Sequence, residues 1–114
     1  MAVAHESHGS DSGLELQDSV AGGRHTLVLS GELDMESGPR LQRLVVHLCA
    51  DGAREVAIDL SKLVFMDSTG LNAILSAQSV CRDHGTGFML TPPNGAVRRV
   101  FEITGVMDAL PFES

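Results

Sequence analysis

Hydrophobic and polar positions follow two rhythms along this chain, and each change of rhythm marks an element. Leu14-Glu15-Leu16 alternates at the period of a strand, Gly22-Gly23 marks a turn, and Thr26-Leu27-Val28-Leu29 follows as a second strand, so a hairpin opens the domain. Leu41, Leu44, Val45 and Leu48 then recur at i, i+3, i+4 and i+7, the stripe of a core-facing helix. Ser37 and Pro39 suit its beginning and Gly52 its end. Residues 55–60, Glu-Val-Ala-Ile-Asp-Leu, predict a third strand, placed in the middle of a small sheet. Leu71, Ile74 and Leu75 restart the helical spacing, Gln78 and Cys81 continue that side, and Gly85 and Gly87 break the helix after His84. Phe88-Met89-Leu90 predicts a short strand stopped by Pro92-Pro93. Val97, Val100, Phe101 and Thr104 line a third helix ended by Gly105, and Ala109-Leu110-Pro111-Phe112 can supply a final strand.

Strands alternating with helices after an opening hairpin imply an α/β fold, a mixed β-sheet covered by helices. Residues 1–13 carry neither rhythm and are rich in Ser and Gly, which predicts a flexible N-terminal tail ahead of one domain at residues 14–114.

The most informative junction is Phe65-Met66-Asp67-Ser68-Thr69-Gly70-Leu71, where an extended apolar segment turns into a helix. Asp67, Ser68 or Thr69 sits at the helix start, where a side-chain oxygen accepts from unpaired N–H groups of the first turn. A hydroxyl there can cap the helix, accept a phosphoryl group, or do both in succession. A phosphate would bring about −1.5 to −2 charges to a terminus that favours anions, while the Asp67 carboxylate beside it offsets part of that attraction.

Composition narrows the function classes. At 114 residues the chain has room for one domain with a modest core, and its four aromatic residues are all Phe, so Val, Leu, Ile, Met and Ala must fill that core. The net charge of −7, from 15 acidic and 8 basic residues, argues against binding nucleic acid by counterion release. The only adjacent basic pair, Arg98-Arg99, reads as a solvated helix edge. No apolar run reaches the roughly 20 residues of a membrane span, and the N-terminus carries no basic-then-apolar signal pattern, so no membrane association and a cytoplasmic location are expected.

Cys49 and Cys81 are far apart in sequence, each in a predicted helix and outside any Cys-x-x-Cys pair, which implies reduced, partly buried thiols. The histidine spacings do not suggest a metal site: His5 and His8 fall in the tail, and His47 and Cys49 point away from each other on a helix. Nor is an enzyme expected. There is no Gly-x-Ser-x-Gly elbow and no Gly-x-x-x-x-Gly-Lys loop, and His84 would lie about 24 Å along the helix from Ser68, too far to act as its base. No cofactor is implied.

The segment Asp59 to Leu71 resembles the phosphorylation segment of bacterial anti-sigma factor antagonists, the stand-alone members of the STAS domain family. Leu29-Ser30-Gly31-Glu32-Leu33-Asp34 is similar to the strand-to-helix corner of that family, and residues 92–101 to its third-helix segment. The three segments come in family order and cover about residues 14–112. The resemblance implies a protein switch. The unphosphorylated antagonist binds an anti-sigma factor that is also a serine kinase, which releases a sigma factor. The kinase ends that binding by phosphorylating the antagonist, and a serine phosphatase of the metal-dependent type restores it.

Carried over by position, the acceptor is Ser68, the first hydroxyl after the aspartate, with Thr69 the less favoured choice. Asp34, Asp67, Ser68, Thr69 and Gly70 would form the partner-binding face. On the residues alone, Asp34 reads equally as a turn or cap residue. The alternative function is a non-switching STAS scaffold or transporter-associated subunit that uses the same corner only for docking. Family members usually continue into a C-terminal helix after the last strand, whereas this sequence stops at Ser114. A STAS-like sheet without that helix would leave surface uncovered and open to weak self-association.

Overall fold

The computed structural model describes the backbone of residues 4–8 and the chain over residues 13–113. Its elements run β1 (Ala4–His8), β2 (Leu14–Ala21), β3 (Arg24–Leu33), α1 (Gly38–Ala50), β4 (Glu55–Met66), α2 (Ser68–His84), β5 (Gly87–Thr91) and α3 (Gly95–Thr104), then a 3-10 turn at Met107–Ala109. The strands form one mixed sheet in the order β1-β2-β3-β4-β5. Pairing is antiparallel from β1 to β3 and parallel from β3 to β5.

Two parallel steps in the same direction along the sheet require two crossovers of the same hand, which sets α1 and α2 side by side on one face. The apolar stripes explain the packing. Leu41, Val45 and Leu48 of α1 and Leu71 and Ile74 of α2 are buried with Leu14 and Leu16 of β2 and Leu27 and Leu29 of β3. Three consecutive residues of β4, Val56, Ala57 and Ile58, are buried although neighbours along a strand point to opposite faces, so the sheet is covered on both sides there. Phe101 of α3 is fully buried and meets Phe112 edge to face at a centroid distance of 5.5 Å. Cys49 and Cys81, 32 positions apart, come together where α1 and α2 pack, with 3.7 Å between their sulfurs.

Three expectations change. The segment read as a tail carries a strand at residues 4–8, paired antiparallel with Leu16 to Val20. Residues 1–3 and 9–12 of that tail lie outside the described residues. The outer edge of β2 offers a row of backbone donors and acceptors, and pairing with them makes no demand on side-chain pattern, so hydrophobic periodicity does not register such a strand. The third strand continues from Leu60 to Met66, because after a bulge it pairs with Ser30 to Leu33 of β3. The expected last strand reduces to one parallel bridge between Phe112 and Leu90. Leu90 donates its N–H to the Pro111 carbonyl and accepts from Glu113, but Pro111 has no N–H with which to extend the ladder.

Asp18, a buried carboxylate on β2, is satisfied by His25 Nδ1 at 3.0 Å. Among the described residues no helix is long and apolar enough to cross a membrane.

Candidate functional site

Parallel pairing of β3 with β4 brings the two chain segments singled out from sequence to the same level. Leu33 is in register with Met66, so Asp34 and Asp67 leave the sheet side by side, and the Asp67 N–H donates to the Leu33 carbonyl at 3.4 Å. The carboxyl ends of adjacent parallel strands are where open α/β sheets place their sites.

Each corner is held by its own short-range chemistry. After Asp34 the chain turns, and Asp34 Oδ1 accepts the N–H groups of Glu36 at 3.0 Å and Ser37 at 3.1 Å. The Ser37 backbone bond leads the effects on this carboxyl, with the Ser37 hydroxyl and the Glu36 N–H adding to it against some desolvation, and together they hold it below the ordinary aspartate range. Ser37, expected to open α1, does so through its carbonyl, which accepts from Arg40 N–H at 3.0 Å and Leu41 N–H at 3.4 Å, while its side chain makes no capping bond. Its buried hydroxyl accepts the Asp34 N–H at 3.0 Å and lies 2.9 Å from the Glu32 carbonyl and 3.1 Å from Asp34 Oδ1. Asp34 is therefore an internal tie of the turn.

At the second corner Asp67 is the N-cap of α2, and its Oδ1 accepts from Gly70 N–H at 2.9 Å. Of the three residues able to cap, the aspartate takes the task. Ser68, the first residue of the helix, is exposed, and its hydroxyl makes no hydrogen bond among the described residues; Thr69 is exposed as well. Replacing Asp67 with Ala leaves one first-turn N–H without its acceptor. Stability is expected to fall by about 1 kcal/mol, and Tm by about 5 °C, in thermal unfolding followed by circular dichroism.

The two helix starts and the end of β3 lock together through glycines. A Cβ on Gly70 would overlap the Leu33 carbonyl oxygen and come within 2.8 Å of Met66 Cγ. Gly38, in the first turn of α1, faces the Ala73 side chain and the Thr69 carbonyl of α2. Gly70, expected on the partner-binding face, is buried and contributes close backbone approach, while Asp34 and Asp67 are partly exposed and Ser68 and Thr69 are exposed.

The sequence reading did not single out the apolar side chains bordering these corners. Met35 is 73% exposed, Val64 69% and Phe65 47%. A signal was present: Leu63-Val64-Phe65-Met66 is a run of four apolar residues on a strand, and strand geometry cannot turn all four inward. Leu63 and Met66 are buried and the middle two face solvent. The register shift between Gly31 and Glu32 sets Val64 out of the ladder. The acids Glu32 and Glu36 are exposed at the end of β3 and in the turn that follows it, next in sequence to Leu33-Asp34 and to Met35. An exposed hydroxyl on a corner that also carries carboxylates and bare apolar side chains suits docking to another protein.

Similarity to known proteins bears on the same region. The chain is 28% identical over 82 residues to the anti-sigma-B factor antagonist of Staphylococcus aureus, spanning 72% of this chain and 76% of that protein. The crystal structure of an anti-sigma factor antagonist from Mycobacterium paratuberculosis superposes with a TM-score of 0.69 at 26% identity, covering 97% of this chain and 85% of that one. The anti-sigma factor antagonist SpoIIAA in its unphosphorylated form shares the fold, with a TM-score of 0.66 at 19% identity over 97% of this chain and 88% of that one. Residues 16–114 match the family model of the STAS domain, and with its mixed sheet and paired helix corners this chain belongs to the STAS domain family.

Proposed function

We propose that this protein is an anti-sigma factor antagonist whose binding to a kinase-type anti-sigma factor is controlled by phosphorylation of Ser68. The carrying observation is the Ser68 hydroxyl, exposed and unbonded among the described residues at the start of α2, beside the Asp34 turn of a STAS domain. Because Asp67 performs the capping, Ser68 can be modified without removing a bond that holds the helix. Relatives named as anti-sigma factor antagonists support the partner class.

In this reading the unphosphorylated protein docks through Asp34, Asp67, Ser68, Thr69 and the backbone around Gly70, and frees a sigma factor. The partner kinase transfers the γ-phosphoryl of ATP to Ser68 Oγ. A metal-dependent serine phosphatase removes it. The protein itself performs no catalysis and works in the cytoplasm.

The test is intact-mass spectrometry after incubation with kinase-type anti-sigma factors and ATP, with peptide mapping of the α2 start. One phosphate on Ser68, and none on Ser68→Ala, is expected. Stable binding without phosphate transfer from any such kinase would replace the switch with a docking scaffold.

A further inference from the structure

We propose that Cys49 and Cys81 form an oxidation site, a buried dithiol that closes to an intramolecular disulfide between α1 and α2 when the protein meets a peroxide. The two sulfurs are already in contact at 3.7 Å. A disulfide bond is about 2.05 Å long, so closure draws the sulfurs together by roughly 1.7 Å, a shift within reach of rotation about the two Cα–Cβ bonds. The chain has no other cysteine to compete for either partner.

The order of events follows from exposure. Cys49 retains 5% of its surface and Cys81 none, so peroxide meets Cys49 first. The Cys49 sulfur attacks one peroxide oxygen and the O–O bond breaks, giving a sulfenic acid and one water. Cys81 then attacks the Cys49 sulfur, the S–O bond breaks, and the departing hydroxide takes the Cys81 proton to leave as a second water. Two thiols and one hydrogen peroxide thus become one disulfide and two waters.

Burial first, then its Cys49 neighbour, pushes the Cys81 thiol up to about 12, so little thiolate forms at neutral pH and closure is slow. Contact between the sulfurs works in the other direction, since an intramolecular partner at this distance acts at a very high effective concentration. The pair therefore responds to sustained oxidant and rests as the dithiol otherwise.

The link would join the later turns of two helices whose first turns carry the acceptor corner. Ser68 lies about 20 Å along α2 from Cys81, so the corner keeps its geometry on oxidation. The gain is in stability: a loop that contains β4 and most of α2 is closed covalently, which restricts the unfolded chain.

The full-length protein is treated with hydrogen peroxide for hours under native conditions, then alkylated, digested with trypsin without reductant and weighed. The expected product is a monomer lighter by two hydrogen masses, with residues 44–54 linked to residues 63–82. Its Tm should exceed that of the dithiol form by about 5–15 °C and return with dithiothreitol. Cys49→Ala and Cys81→Ala, each checked for folding by circular dichroism, should lose both changes. Two alkylated thiols, disulfide-linked dimers, or a linked monomer with unchanged or lower Tm would overturn the proposal.

Discussion

Phosphorylated at Ser68, the protein is expected to bind its anti-sigma factor about 10- to 1,000-fold more weakly than the unmodified form, a loss of about 1.4 to 4 kcal/mol. The sign depends on the surroundings of the hydroxyl. The positive end of α2 favours an anion, so the modification by itself leaves the fold intact. A partner seated on Met35 and Phe65 would exclude water from the corner, and a group carrying about −1.5 to −2 charges would there have to shed its hydration or displace the partner. The carboxylates of Asp34 and Asp67 add repulsion rather than a counter-charge. Isothermal titration calorimetry of the unmodified, phosphorylated and Ser68→Ala forms checks this. Equal affinity of the first two would sink the charge mechanism. Amide shifts on phosphorylation should stay within the first turn of α2 and the neighbouring Asp34 turn.

The largest effect on stability is expected from Gly70→Ala. In a helix Ala is ordinarily better than Gly by about 1 kcal/mol, so propensity alone predicts a gain. The added methyl would overlap the Leu33 carbonyl oxygen, and it would meet the Leu33 carbonyl carbon at 2.9 Å and Met66 Cγ at 2.8 Å. Met66 can turn aside. The backbone of β3 cannot, since Leu33 is held in register with Met66 and its carbonyl accepts the Asp67 N–H. Overpacking against backbone should outweigh propensity and leave a net loss of about 2–4 kcal/mol, a fall in Tm of about 10–15 °C. Thermal unfolding decides, with exposed Thr69→Ala as the control, which should change stability by less than about 0.5 kcal/mol. A Gly70→Ala protein as stable as the parent would mean that α2 does not ride on the end of β3.

Much of the fold was legible because its signals are local. The stripe Leu41, Leu44, Val45, Leu48 gave α1 with three of the four residues buried, and Gly85 and Gly105 ended α2 and α3 in the left-handed conformation that glycine adopts freely. Ser68 was legible as a hydroxyl at a strand-to-helix junction. What was missed depended on partners distant in sequence. The strand at residues 4–8 exists through the edge of β2, the extension of β4 through β3, and the outward turn of Phe65 through a bulge in their pairing.

The sequence by itself determined the order of strands and helices from β2 to α3, the net acidic charge, most core residues and the hydroxyl at the start of α2, since periodicity, glycine conformation and charge act over a few residues. The tertiary structure decided which oxygen caps that helix, that Asp34 and Asp67 stand side by side, that Gly70 must be glycine, and that Cys49 meets Cys81. The cap is a choice among three neighbouring oxygens, but the other three depend on the parallel register of β3 and β4 and the crossover that lays α1 against α2, and no local pattern of residues encodes a distance between segments about 30 positions apart.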